Sequence, residues 1–173
     1  SQHNGISPKE MRRAWRYVTW AGFLGSTYYL ICIVGVPRIK YLTELEATAF
    51  DFGLITTLGA IALVFQVAGS LLCNRLRRRK ALWMLLAITH RLVFTGAILA
   101  PILFGDARIR MAWILFVFFC HDMIAQITVP IWFSWMADLV PKEATNRHWA
   151  ARQRVITVAT IGVMIALAVG FPY

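Results

Sequence analysis

Two short stretches hold neighbouring residues that can handle protons. "THRLV" (residues 89–93) sets His90 beside Arg91, and "CHDMI" (residues 120–124) sets His121 beside Asp122. An imidazole changes charge near neutrality and can both give and accept a proton. A guanidinium and a carboxylate next to it add fixed charges of opposite sign. Each pair sits in the middle of a long apolar run. At a helical rise of about 1.5 Å per residue, Arg91 stands about 16 Å along from Lys80 and Asp122 about 20 Å from Trp135. Adjacent antiparallel helices therefore bring the two to similar depths. A charge in the middle of a bilayer is costly and faces a partner or a wet cavity. The spacing predicts an Arg91–Asp122 ion pair with His90 or His121 adding hydrogen bonds. Such a group serves either proton coupling and substrate binding or the fixing of helix register. Gln66, Gln126, Tyr28 and Tyr29 are further polar positions in apolar runs, and interhelical hydrogen bonding explains them as well as substrate contact does.

Other chemistries find no support. The histidines (His3, His90, His121, His148) and the cysteines (Cys32, Cys73, Cys120) show no metal-ligand spacing. There is no phosphate-cradling glycine loop and no nucleophile motif. The sequence predicts no enzyme, no cofactor and no metal site. The cysteines lie in or at the end of apolar runs and read as small buried side chains.

A third feature is "CNRLRRRK", residues 73–80, with five basic side chains in eight positions. The whole chain has a formal charge of +10, which in a soluble protein suggests a nucleic-acid partner. Here 59% of the 173 residues are hydrophobic and only 15% charged, well below the quarter usual in soluble domains. The basic residues fall mostly in short breaks between long apolar runs. They are too few in each break to form a nucleic-acid module, and no nucleic-acid partner is expected.

The elements that must position these residues are membrane spans. A helix needs roughly 20 predominantly apolar residues to cross a bilayer. Five stretches qualify, at about 17–36, 52–73, 81–104, 111–137 and 155–173. None shows the polar face of a soluble bundle helix. The predicted fold class is all-α: a polytopic transmembrane helical bundle of five spans, residues 1–173 forming one domain. With the N-terminus inside, the inner segments carry thirteen Lys and Arg and the outer segments four. That imbalance places the N-terminus in the cytoplasm and "CNRLRRRK" in the inner turn between spans 2 and 3. "ISPKE", with Ser7, Pro8 and Glu10, reads as a capping box opening the first helix. Gly22, Gly25, Gly53, Gly59, Gly69 and Gly162 read as positions of close helix packing, and Pro130 as a kink.

The order of these pieces is similar to a known family. "SLLCNRLRRRKAL" between two spans resembles the signature loop between the second and third helices of the major facilitator superfamily. Ser70 stands at its small position, Leu72 at its Leu, and Arg75, Arg78 and Arg79 at its basic positions. Asn74 replaces the family's acid and Arg77 its glycine. "WFSWMADLVPKEATNRHWAARQRV", residues 132–155, resembles the turn after the fourth helix in one bacterial branch, through Trp135, Met136, Asp138, Pro141, Glu143, Arg147, Arg152 and Arg154. Asn146 and Ala150 stand where that branch has glycines.

The resemblance implies a secondary transporter of the bacterial inner membrane, in which two six-helix halves rock about a central site. It also implies that the signature loop latches the halves together. Asn74 cannot supply the latch's negative charge. Five spans fall short of one half, so a second helical bundle or other membrane subunits are expected as partners besides the lipid bilayer. A small-molecule substrate follows only if the chain transports. The alternative is a shortened relative acting as an accessory subunit of a larger complex, respiratory or photosynthetic, which would turn Phe116, Phe118 and Phe119 toward a partner. A transporter instead needs polar groups from several spans converging on one place.

Overall fold

The computed structural model describes residues 8–75, 79–139 and 145–170. Among the described residues every regular element is helical, and five stretches are long and apolar enough to cross a bilayer. They are Trp15–Glu44, Ala49–Arg75, Arg79–Ile98, Ala107–Ala137 and Asn146–Gly170. Large apolar side chains cover their outsides: Val169 is 76% exposed, Phe50 72% and Val158 70%. Such surfaces suit lipid and not water, so the chain is that of an integral membrane protein.

Two of the five spans are interrupted, the first by a π turn and a bend, the second by a tight turn. The first begins as α1 (Pro8–Tyr28), widens into a π turn over Tyr29–Ile33, bends at Val34 and Gly35, and resumes as α2 (Val36–Glu44). A Cβ at residue 35 would collide with the Leu30 carbonyl, so the bend requires glycine there. Pro37 suits the first turn of the restarted helix, where its missing N–H has no partner to lose. Arg38 donates from its guanidinium to the Ile33 carbonyl, which the bend leaves without a helical donor. Hydropathy ends this span at residue 36 and puts Arg38 and Lys40 in an outer loop. Both instead ride on α2, because the helix restarts at once after the bend.

The α2 C-terminus closes with paired bonds, Ala47 N–H to Leu42 O and Glu46 N–H to Thr43 O, and Glu46 takes the left-handed conformation (φ 65°). Thr48 then caps α3 (Ala49–Ala62). Its hydroxyl accepts from the Asp51 N–H (3.3 Å), while the Asp51 carboxylate accepts from the Thr48 N–H (2.8 Å). The capping box expected at Ser7 and Glu10 rests on residue 7, which lies outside the described residues.

After α3 the second span makes a tight turn at Leu63 and Val64, held by i→i−3 bonds, and continues as α4 (Phe65–Arg75). The third span is α5 (Arg79–Ile98), followed after one residue by the short α6 (Ala100–Leu103), where Pro101 removes a donor. Asp106 caps α7 (Ala107–Leu139) by accepting from the N–H groups of Arg108 and Ile109. α7 continues through Pro130. The last span is α8 (Thr145–Gly170).

Backbone contacts gather two compact units, residues 1–41 with 139–173, and residues 42–138. In the first unit α1 packs on α8, with Gly22 against Arg152 and Ile156. In the second, α7 is central. Its buried stripe of Ile114, Phe118, His121, Thr128 and Ile131 follows helical spacing. Phe118 stacks on Phe94 of α5 (5.4 Å, 14°), and Phe119 meets Phe65 of α4 edge-on. The Trp113 indole donates to the Gly96 carbonyl (3.0 Å).

Of the glycines expected at helix contacts, Gly22, Gly59 and Gly69 lie against other helices, whereas Gly53 and Gly162 face open space. Gly69 is the tightest: a Cβ there would overlap the Ile127 carbonyl and stand 2.6 Å from the Pro130 ring. Backbone cannot yield as a side-chain tip can, so Gly69→Ala should destabilise the protein by about 1–3 kcal/mol. Thermal unfolding in detergent measures this, with Gly162→Ala as the neutral control.

Candidate functional site

Four polar residues of the second unit form one connected chain between the middles of α5 and α7. Arg91 Nη1 donates to His90 Nε2 at 3.2 Å and to the Ala87 carbonyl at 2.6 Å. His90 Nδ1 lies 3.1 Å from His121 Nε2, and His121 Nδ1 lies 2.8 Å from Asp122 Oδ1. Both histidines are buried, at 8% and 3% exposure, while Arg91 is exposed and the Asp122 side chain is 23% exposed. The rings meet edge-to-face at 4.9 Å, and Phe94 closes over His121 at 5.4 Å.

The end groups fix the direction of every bond. Arginine can only donate, so His90 Nε2 accepts and carries no proton. The proton of neutral His90 then sits on Nδ1 and is donated to His121 Nε2. His121 in turn carries its proton on Nδ1 and donates it to the carboxylate. Both rings are thus assigned the Nδ1–H tautomer by the network. The link seen between Arg91 and Asp122 runs through both histidines, so these act as the connection where hydrogen-bonding accessories to an ion pair are expected.

Two other helices complete the surroundings. Asp122 faces α3, where a Cβ on Gly59 would stand 3.5 Å from Oδ2. One turn along α7, Gln126 Oε1 accepts from Gln66 Nε2 of α4 at 2.7 Å. Pro130 has no N–H, so the Gln126 backbone carbonyl also loses its helical donor at this level. The Leu63–Val64 turn lies between Gly59 and Gln66. Hydropathy carries no sign of this break, because neither residue is a helix breaker. Tyr28 and Tyr29 belong instead to the first unit, at the start of its π turn.

The basic run behaves differently. Ser70 donates to its own helix at the Gln66 carbonyl (3.0 Å), and Asn74 and Arg75 are exposed on the last turn of α4. Arg79 Nε donates to the Cys73 carbonyl at 3.3 Å, closing the C-terminal end of α4. Lys80 lies over the Trp135 ring at 6.0 Å, and Trp135 packs on Trp83. Arg78 lies outside the described residues. In the second motif Arg147 is exposed, whereas Arg152 is half-buried against Gly22 and stands over Trp149 at 5.4 Å. Pro141 and the Asp138 side chain lie outside the described residues. Neighbouring His148, not singled out from sequence, is buried against Trp15 at 5.0 Å.

No protein-family model matches the chain, and no curated protein or solved structure matches it either. The resemblance to the major facilitator superfamily therefore stands on its motifs alone.

The glutamine pair should be a true interhelical tie. In a double-mutant cycle of Gln66→Leu and Gln126→Leu, the coupling energy should be about 0.6 kcal/mol and below about 2. Unfolding equilibria of the four proteins in detergent give the value.

Proposed function

We propose that this chain is part of a secondary transporter of the major facilitator type, contributing most of an N-terminal half. The observation that carries this is Arg91: a guanidinium in the middle of an apolar helix, bonded to a buried relay yet itself exposed. Lipid is a poor neighbour for that charge, so an aqueous cavity or a second helical bundle belongs beside it. Polar groups from several spans also converge around α7, as a transport site requires. The broken second span fits the same reading, since interrupted helices in transporters accompany their binding sites.

The orientation proposed puts the N-terminus in the cytoplasm of a bacterial inner membrane, from the distribution of basic residues. The end of α4, the start of α5, the end of α7 and the start of α8 then face the cytoplasm. The accessory-subunit reading gains little from the aromatic residues. Phe118 and Phe119 pack inward on Phe94 and Phe65, and of the three only Phe116 is exposed.

Two measurements test the proposal. With Cys32, Cys73 and Cys120 changed to Ser, Arg91→Cys should react with a membrane-impermeant maleimide in sealed vesicles; protection equal to that of a lipid-facing Leu92→Cys control would argue against a wet site. Native mass spectrometry after mild extraction should find the chain joined to a second bundle of comparable size. Recovery in fixed stoichiometry with unrelated subunits, and no solute counterflow in proteoliposomes, would sink the transporter reading.

A further inference from the structure

We propose that the first unit binds one anionic phospholipid, its headgroup on arginines of α1 and α8 and an acyl chain in the groove between those helices. Two cavities carry this. The first, about 610 Å³, is lined by Arg12, Arg13, Arg16, Tyr17 and Trp20. The second, about 680 Å³, runs along the α1–α8 junction, with Trp20 and Phe23 on one side and Arg154, Val158, Gly162 and Ala166 on the other. Trp20 lines both, so the cations and the groove adjoin. The site uses no residue of the Arg91–Asp122 chain and holds whether or not the protein transports.

Helical spacing builds the groove. On α8, Arg154, Val158, Gly162 and Ala166 recur every four residues and so share one face. At a rise of 1.5 Å per residue that row is about 18 Å long. One leaflet of hydrocarbon is about 15 Å deep, so a single acyl chain fits lengthwise. Small side chains make the depression: a Cβ on Gly162 would meet nothing within 4 Å. Thr19, which also lines the groove, donates its hydroxyl to the Trp15 carbonyl of its own helix at 2.9 Å. It therefore adds no polar atom in search of a partner, and the wall suits hydrocarbon.

Charge specifies the occupant. Arg16 and Arg154 are the last charged residues before the apolar runs of their spans, so both stand at the level of lipid phosphates. Trp20, one turn beyond Arg16 and 60% exposed, takes the interfacial position that indole rings favour. Arg13 is braced by Tyr17: its Nε donates to the hydroxyl at 3.4 Å, and the guanidinium lies 5.7 Å from the ring centre. Guanidinium groups present several N–H donors in one plane and bind phosphate oxygens in pairs. Residues 1–41 with 139–173 hold ten Lys and Arg but two acids, Glu10 and Glu143, so pairing within the unit leaves most of the cations unneutralised. An apolar helix from another chain would fill the groove and leave these cations unmatched. A zwitterionic lipid would bring a cation of its own to them. A negatively charged headgroup with its acyl chain satisfies both the arginines and the groove.

The test is native mass spectrometry of the protein, with whatever co-purifies, from micelles holding equal amounts of phosphatidylglycerol and phosphatidylcholine with the same acyl chains. The wild-type protein should retain one phosphatidylglycerol with a preference of at least about tenfold. Arg16→Gln combined with Arg154→Gln should bring the preference below about twofold. Arg147→Gln removes an exposed cation that lines neither cavity and should leave it unchanged. Gly162→Phe fills the groove while every arginine stays, and should lower phosphatidylglycerol retention at least about fivefold. Equal retention of the two lipids by the wild-type protein, or an unchanged preference in the arginine variant, overturns the proposal. An equal loss in Arg147→Gln would make net charge the cause and overturns it too. So does full retention in Gly162→Phe, whether lipid is then held by surface attraction alone or a co-purifying chain is lost from the groove instead. The wild-type ratio needs no variant, so misfolding cannot hide the answer.

Discussion

An arginine and an aspartate embedded in an apolar helical unit must be joined, and here two histidines join them. Each charge alone would be strongly unfavourable away from water, and a buried partner removed is worse than both removed together. The Arg91–His90–His121–Asp122 chain meets that constraint with all four imidazole nitrogens hydrogen-bonded. It also fixes the pairing of α5 with α7: the register that aligns the imidazoles is the one that stacks Phe94 on Phe118 and brings the Trp113 indole to the Gly96 carbonyl. Polar satisfaction and apolar packing select the same arrangement.

The backbone obeys the same rule. In lipid no water waits to bond a carbonyl released by a helix break, so each break must supply its own donor. At the bend after the π turn it is Arg38, reaching back to Ile33. At Leu63–Val64 the bonds shorten from i→i−4 to i→i−3. At the end of α4 the donor is Arg79, bonding the Cys73 carbonyl. Basic residues that a charge count assigns only to topology are thus also closing helices. This gives "CNRLRRRK" a structural use within its own unit: Arg79 holds the end of α4, and Lys80 rests on the Trp135 ring of α7.

Much of this was legible from residue types. Five apolar runs gave five spans because bilayer thickness sets a minimum length that few other structures need. His90, Arg91, His121 and Asp122 stood out because charge is rare in such runs, and equal depth followed from helical rise. Ends and breaks were less legible. Thr48 and Asp51 carry a capping pattern in the sequence, but the eye is drawn to the Ser7 pattern instead. Leu63 and Val64 carry no signal at all, being ordinary helix formers whose turn is decided by neighbours.

What the sequence by itself determined was the solvent: long uninterrupted apolar stretches with charge in the gaps dictate helices in lipid, since hydropathy and span length are properties of each segment alone. Which nitrogen faces which, that the link between Arg91 and Asp122 passes through both rings, and that Gly69 takes the Pro130 ring while Gly162 takes nothing, were decided only by tertiary structure. The reason is geometric. Depth in the membrane follows from counting residues along a helix, but the rotation of one helix against another is set by all its contacts together, and a hydrogen bond between two imidazoles survives only a narrow range of that rotation.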